Sequence, residues 1–418
     1  MSSLKKITDL YKETFYIEDD ALIVLMTAIV VGSRLNTPPV WLYLIGPSSS
    51  GKTEIINAFS KIPFVTFVSD LTQNTFLSGM SNNQHETSLL KRLGLNFVIA
   101  MKDFTTILSK SPETQEAIIA QMREIYDGHM VKYTGTGQIL EWGPNGKATF
   151  LMASTEGIYG VQEKFSDMGT RAINYVMVPQ DRILTTKRAL KNNNVLEKNK
   201  EAIKEAFATF VMEMVDKLPS ELPSLPDALE DQIIEVADFA SICRSIVKRD
   251  YRGEKSLALS AEMPMRMAKQ LLSIGQQMQY VNGGELNDKL IDAIFKTGFD
   301  SIPKQRKIVL EVLAKYTRVN ILGVAERINY NPQRSKEWIE DLNMFGVCNR
   351  IKSGHKEYWE IKPQYRKIMT KYFGVKPVNE ELDLSEEMYE GSHGSDATDL
   401  SYIEHQREVD INRSFETM

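Results

Sequence analysis

Gly46, Pro47, Ser48, Ser49, Ser50, Gly51, Lys52 and Thr53 form the pattern GxxxxGKT, and each residue type in it has a chemical reason. The two glycines let the backbone curl until its N–H groups point inward at phosphate oxygens. Lys52 would neutralise the β and γ phosphates of a nucleoside triphosphate, and Thr53 would offer its hydroxyl to Mg2+. The pattern follows the apolar run "WLYLI" and precedes the helical run "EIINAF", so the helix would turn its positive end to the same anion. ATP with Mg2+ is the expected ligand.

Cleaving a triphosphate also needs an acid beside that loop. The stretch "FVIAMKDFTTIL", Phe97 to Leu108, is an apolar strand that ends in Lys102, Asp103 and Phe104, where two adjacent acids are usual. Two registers are open. Asp103 either takes the metal-side position, with Phe104 replacing the second acid, or it is the water-polarising acid, with Lys102 replacing the metal-side one. The second is preferred, and a further reading has Asp103 capping the helix that follows.

The elements that must position these groups follow from pattern. "VWLYLIG", "FVTFVS", "NFVIAM", "ATFLMAS" and "INYVMVP" are five strand-like runs separated by helical stretches, which argues for an α/β sheet. Residues from about Asp181 to Ile302 lack such runs and read as helices. From Pro303 the chain opens with "KQRKIVLEVLAKY", continues through two more helices, and closes with "CNRIKSGHKEYWEIK", two strand-like halves around Ser353 and Gly354. Three helices and a hairpin are the winged-helix order. In the third helix Asn331 can cap and Pro332 fits the first position. Trp338, Ile339, Leu342 and Phe345 then share an apolar face, leaving Gln333, Arg334, Lys336 and Glu337 outward, as in a recognition helix entering the major groove. Arg350, Lys352 and Lys356 on the wing, with His355 at its tip, would touch DNA phosphate.

Composition narrows the class. The net charge of -5 hides an asymmetry: Pro303 to Lys371 carries fifteen basic and seven acidic residues, whereas Lys376 to the end carries three basic and twelve acidic. The acidic end is expected to be disordered; it could also mimic DNA or bind a replisome protein. Two distant cysteines, Cys243 and Cys348, support neither a disulfide framework nor a zinc site. The longest apolar run, Ala21 to Gly32, is shorter than the roughly 20 residues a membrane span needs. It reads as a buried helix of a cytoplasmic protein in a bacterial or phage-infected cell.

From Asp20 to about Ser301 the chain resembles an AAA+ ATPase, and the resemblance extends beyond the two motifs. "HMVKYTGTGQILEW", a turn "GPNG" and the strand "KATFLMAST" are similar to the hairpin inserted before sensor 1 in minichromosome-maintenance helicases and bacterial enhancer-binding activators. That resemblance implies a tip from Tyr133 to Gly137, with Lys132 and Tyr133 meeting nucleic acid in the pore of a hexamer. It implies Thr155 as the sensor-1 residue that orients water. It implies Arg171, in "FSDMGTRAINYVMV", as the arginine finger supplied to a neighbouring subunit, and Arg266, in "SAEMPMRMAKQLLSIGQ", as the sensor-2 group reaching its own γ-phosphate. Nothing between Lys61 and Leu95 resembles the loop with which the activators grip sigma factor. The whole pattern is more similar to ATPases of phages and mobile elements.

The fold expected is a P-loop (AAA+) parallel sheet with N-terminal helices over 1–180 and a helical lid over 181–302. A winged helix over 303–375 and a disordered acidic tail over 376–418 would complete it. The function expected is a ring-forming DNA motor, a replicative helicase or translocase. The alternatives are a helicase loader or replication initiator that binds DNA and ATP without unwinding, and an ATP-binding switch.

Overall fold

In the computed structural model all five apolar runs become strands of one parallel sheet. The structure describes residues 4–15, 19–79, 88–135, 137–164, 171–177, 183, 187, 193–245, 247–249, 255–258 and 260–385. Strands β1 (Trp41–Ile45), β2 (Val65–Phe67), β3 (Asn96–Met101), β6 (Lys147–Ser154) and β7 (Ile173–Val176) lie in the order β2-β3-β6-β1-β7. A separate hairpin, β4 (Met130–Tyr133) and β5 (Ile139–Trp142), is inserted before β6. β1 is buried along its whole length and β6 nearly so, as parallel strands covered on both faces must be.

Helices cover the sheet. The first are α1 (Leu4–Phe15), α2 (Asp20–Gly32), α3 (Lys52–Asn57), α4 (Leu89–Leu93), α5 (Thr105–Leu108), α6 (Pro112–Tyr126) and α7 (Ile158–Lys164). Asp19 caps α2 by accepting the Leu22 N–H at 3.1 Å, and every residue from Ala21 to Gly32 is buried. Ser111 caps α6, with Pro112 at its first position. One core joins Trp41, Tyr43, Phe97, Ile99 and Phe150 from the sheet to Ile118 and Met122 of α6, and to Met130, Leu140 and Trp142 of the hairpin.

The helical section comprises α8 (Asn193–Asp216), α9 (Asp227–Arg244), α10 (Met265–Val281) and α11 (Asp288–Asp300), with a short hairpin, β8 (Val247–Arg249) and β9 (Lys255–Ala258). It belongs to the same compact unit as the sheet, Met1–Lys307 with Lys367–Gly374. Edge strand β7 shows why. Its outward N–H groups at Asn174 and Val176 donate to Ser301 Oγ (3.0 Å) and to the Asp300 carboxylate (2.8 Å), so the end of α11 completes the sheet edge. Asp300 is fully buried and paired with Lys296 and Lys307. Burial by itself would raise its pKa, but the two ammonium groups outweigh that and hold it below the ordinary value.

The second unit is Ile308–Arg366 with Val375–Met418. It contains most of α12 (Lys304–Lys315), then α13 (Ile321–Ile328), α14 (Pro332–Met344), and the hairpin β10 (Cys348–Ser353) and β11 (Lys356–Ile361). Its core includes Leu310, Leu313, Val324, Ile328, Ile339, Leu342 and Trp359. Helix α15 (Pro363–Phe373) follows the hairpin, and its last turn stacks Phe373 on Phe299 of the first unit's α11 at 3.9 Å, within the first unit.

The acidic end departs from the expectation of disorder from Lys376. Val319 bridges Trp359 on one side and Leu382 on the other. Thr317 and Asn320 donate their N–H groups to Glu380 O and Leu382 O, and Leu382 donates to Arg318 O, each at 2.9 Å. A free backbone edge at Val319 and an apolar side chain at Leu382 are enough to order this piece despite its charge. Residues 386–418 lie outside the described residues.

Candidate nucleotide site

Registers in a parallel sheet decide which loops meet. Ile45 pairs with Ser154 and Met101 with Met152, so Gly46, Thr155 and Asp103 all emerge at the carboxyl edge of three adjacent strands, where α/β sheets bind ligands. Gly46 donates its N–H to Ser154 O at 3.3 Å. A Cβ on Gly46 would stand 3.0 Å from Ser50 Oγ and 3.4 Å from the Met177 side chain, so the close turn favours glycine. Gly51 enters α3 with φ of 89°, a left-handed conformation that glycine adopts at no steric cost.

Lys52 curls back into its own loop. Its Nζ donates to Gly46 O (2.8 Å), Pro47 O (2.5 Å) and Ser50 Oγ (3.4 Å). Burial lowers its pKa, and the nearby negative charge of Asp103 works against that shift. Thr53 is exposed beside it.

The end of β3 resolves which way each side chain points. Lys102 extends toward β2, its Nζ 5.0 Å from the Phe67 ring centre. Phe104 is buried edge-on against Tyr43 at 5.1 Å, and its N–H donates to Ala153 O at 2.7 Å. Between them Asp103 bends onto the start of α5, where its Oδ1 accepts the Thr105 N–H (2.9 Å) and hydroxyl (2.5 Å). The N-cap of α5 is Phe104, with no side-chain cap, so Asp103 holds Thr105 from one residue earlier, and its negative charge is felt at Lys52. At the end of β6, Ser154 is buried with no partner for its Oγ among the described residues, and Thr155 is half-buried. The adjacent Glu156 is paired with Lys304 at 2.7 Å.

Arg171 stands elsewhere. It precedes Ile173, which pairs with Leu42 near the start of β1, so Arg171 lies at the amino edge of the sheet. Three residues of strand, about 10 Å, separate Ile173 from the carboxyl edge at Val176. Its Nη2 pairs with Asp127, the C-cap of α6, at 3.3 Å, and Gln270 of α10 donates to its backbone oxygen at 2.8 Å. Arg266, one helical turn before Gln270, was expected at the phosphates of its own loop; it stands instead with Arg171. Its pKa is lowered first by burial and then by the charge of Arg171, with Glu262 acting the other way. The cause of the difference is the course of α10, which runs along the amino edge from Gln270 at Arg171 to Gln277 at Thr37. Residues 165–170, the rest of the expected arginine-finger segment, lie outside the described residues.

No family model and no curated protein matches this chain. Solved structures do match, among them one titled SCCmec type IV Cch, active helicase, which shares 10% identity and a TM-score of 0.36 over 86% of this chain and 71% of that one. A likeness at that score shows neither family nor function.

The inserted hairpin corrects one expectation about its tip. Met130, Lys132, Leu140 and Trp142 share its inner face by strand alternation, and Lys132 Nζ is taken up by Asn74 Oδ1 (2.7 Å), Gln73 O (3.2 Å) and Leu77 O (3.4 Å). Lys132 braces the hairpin against the loop at 73–77. Tyr133 is 76% exposed and stands opposite Ile139, also exposed.

In the second unit, Asn331 caps α14 through the Gln333 N–H, Gln333 and Arg334 are exposed, and Lys336 is half-buried. Arg334 pairs with Glu337 at 2.8 Å. On the hairpin, Lys352 and His355 are exposed. Arg350 is paired with Glu357, and Lys356 with Asp383 of the docked acidic segment, so these two cations already hold carboxylates. Asp383 also accepts from Tyr358 Oη (2.9 Å) and Asn320 Nδ2 (2.7 Å). Sequence spacing gave no sign of these pairings, because both acids reach the cations through folding. Lys147 was also missed: it is half-buried at the start of β6, donating to Gly32 O, Leu35 O and Thr37 Oγ1.

Proposed function

We propose that this chain is an ATP-hydrolysing DNA motor of the AAA+ type, which completes its site only when copies assemble into a ring. One observation carries the reading. The phosphate loop and Asp103 share the carboxyl edge of the sheet, whereas Arg171 and Arg266 share the amino edge, so a single chain cannot bring all four to one phosphate. In a ring, the amino edge of one copy would face the loop of the next.

The roles follow from the chemistry. Loop N–H groups and Lys52 would hold the β and γ phosphates, with Lys52 exchanging its present carbonyl partners for phosphate oxygens. Mg2+ fits the donors available, the Thr53 hydroxyl and the Asp103 carboxylate, since it prefers hard oxygen ligands and takes the remainder from phosphate and water. Bound there, it would neutralise charge on the β and γ oxygens. Asp103 would polarise the attacking water, and Ser154 or Thr155 would orient it. Arg171 and Arg266 of the next copy would meet the charge that spreads over the γ-phosphoryl oxygens in the transition state.

DNA as the partner is supported by the exposed Tyr133 and Ile139, which offer a stacking surface, and by Gln333, Arg334, Lys336 and Lys352 on a unit read as a winged helix. A helicase or translocase of a phage or mobile element is the leading form. The second form, a loader or initiator that hydrolyses ATP slowly, is favoured by the lone acid at Asp103, whose oxygen is shared with Thr105.

The test is ATPase rate as a function of protein concentration, with and without single-stranded and duplex DNA, alongside mass by light scattering. The motor predicts a rate per chain that rises with assembly and with DNA, and a Lys52→Ala variant without hydrolysis. Unwinding of a forked duplex separates motor from loader. Full activity in a dilute monomer would overturn both.

A further inference from the structure

The acidic segment docked on the second unit carries a strand pattern of its own. Leu382 donates its N–H to Arg318 O and accepts from Asn320 N–H, both at 2.9 Å, so residues 381–383 pair as a strand would along the edge at Val319. Side chains alternate along such a segment, which puts Glu381 and Asp383 on one face and Leu382 on the other. Leu382 is seated over Gly323 in the first turn of α13, where a Cβ would stand 2.7 Å from Leu382 Cγ and 3.0 Å from Leu382 O. The two acids each meet a cation: Glu381 pairs with Arg318 at 2.9 Å, and Asp383 pairs with Lys356 of the hairpin. Asn320 closes the far end, its Nδ2 donating to Asp383 Oδ1 and to Leu384 O, both at 2.7 Å.

Lys356 is one of the cations expected to touch DNA phosphate, and an ammonium group held by a carboxylate is withheld from a phosphate. Burial works to raise the Asp383 pKa, but the bonds from Lys356, Tyr358 and Asn320 outweigh it and keep it below the ordinary carboxylate value, so the acid is charged at neutral pH. We propose that residues 380–384 are an autoinhibitory strap, which occupies the hairpin's phosphate-binding cation and is displaced when duplex DNA binds. Exposed ion pairs are weak one at a time. The strap holds because it is tethered, which gives its carboxylates a high effective concentration at Lys356. DNA brings a whole line of phosphates and gains by releasing its counterions, so it can win the exchange. The inference rests on the reading of this unit as a DNA-binding winged helix.

Two measurements on the full chain test it: affinity for a short fluorescent DNA duplex, and amide hydrogen exchange over residues 378–384 with and without saturating duplex, each variant being checked by thermal unfolding. Gly323→Ala displaces Leu382 from the edge without changing any charge, and Asp383→Asn frees Lys356 while keeping an acceptor for Tyr358 and Asn320. Each is expected to tighten DNA binding about fivefold, the factor by which a closed strap withholds the binding-competent form. Glu380→Gln removes an adjacent exposed charge that pairs with no cation among the described residues, and is expected to stay within about twofold of wild type. General repulsion of DNA by the acidic end would instead move Glu380→Gln as far as Asp383→Asn. In the wild type, the Leu382 and Leu384 N–H groups, which donate to Arg318 O and Asn320 Oδ1, are expected to exchange faster once DNA is bound. A segment that only completes the sheet edge predicts slower or unchanged exchange there. Protection retained in the DNA complex, a Gly323→Ala or Asp383→Asn affinity no tighter than wild type, or a Glu380→Gln effect as large as that of Asp383→Asn overturns the proposal. If Gly323→Ala does not fold, Leu382→Ala, also neutral, takes its place. The two levels separate: a wild type that binds DNA with its strap still closed sinks the inference alone, and failure of every variant to bind DNA sinks the reading of the unit and the inference with it.

Discussion

At the scale of single residues the proposed hydrolysis turns on how three consecutive side chains leave β3. Lys102 points to Phe67, Phe104 into the core against Tyr43, and Asp103 onto Thr105, with its charge felt at Lys52. Asp103→Asn would keep an acceptor for Thr105 and lose the charge, so ATP hydrolysis should fall on the order of 100-fold with little change in thermal stability. Lys102→Ala should leave the rate within about twofold, because its partner is an aromatic ring on β2. Steady-state hydrolysis by the two variants checks this, and a Lys102 variant as slow as the Asp103 one would return the lysine to the metal side. The identity of Asp103 was legible from the strand that precedes it; its direction was not. Adjacent residues at a strand end diverge according to what packs on each side.

At the scale of elements the sheet is held together by polar groups inside apolar surroundings. Lys147 ties β6 to the end of α2 through three acceptors, Gly32 O, Leu35 O and Thr37 Oγ1. Burial pushes its pKa down to about 7 from 10.5. Below about 7 the folded and unfolded chains both carry the proton, and the cost of burying the charge is fully present. Between about 7 and 10.5 the unfolded chain keeps a proton that the folded one has lost, so this group makes stability rise with pH across that window. Lys147→Met should abolish that rise, and should cost about 2 kcal/mol or more by stranding buried acceptors. Denaturant unfolding of both proteins from pH 6 to 10 measures it. The inserted hairpin teaches a related lesson, since its alternation of Met130 and Lys132 against Leu140 and Trp142 marks Lys132 as inward once the register is known.

For the whole molecule, the proposed function would make hydrolysis a property of assemblies, because Gly46 and Asp103 leave one edge of the sheet and Arg171 lies at the other. Lys52→Ala, which spoils the loop, and Arg171→Ala, which spoils the amino edge, should each be inactive alone. Mixed in equal amounts, they should regain hydrolysis, because a seam between the intact loop of one and the intact arginine of the other is complete. Absence of recovery in subunits shown to exchange would count against assembly at that seam. Among the described residues no helix is long and apolar enough to cross a membrane.

The linear chain by itself determined the five strands, the glycine turn at Gly46–Thr53, the buried helix α2, the capped helix α14, and the three-helix-and-hairpin order of the second unit. These depend on neighbours a few residues apart: runs of apolar side chains, cap residues, and glycines at a tight turn. Tertiary structure alone decided that Arg266 joins Arg171, that Lys132 is braced from behind, that Arg350 and Lys356 already hold carboxylates, and that Leu382 pairs with Val319. Each of those outcomes sets a charge or a backbone edge against a partner brought near by folding. Electrostatic and hydrogen-bond choices of that kind depend on distance in space, which residue order does not encode locally.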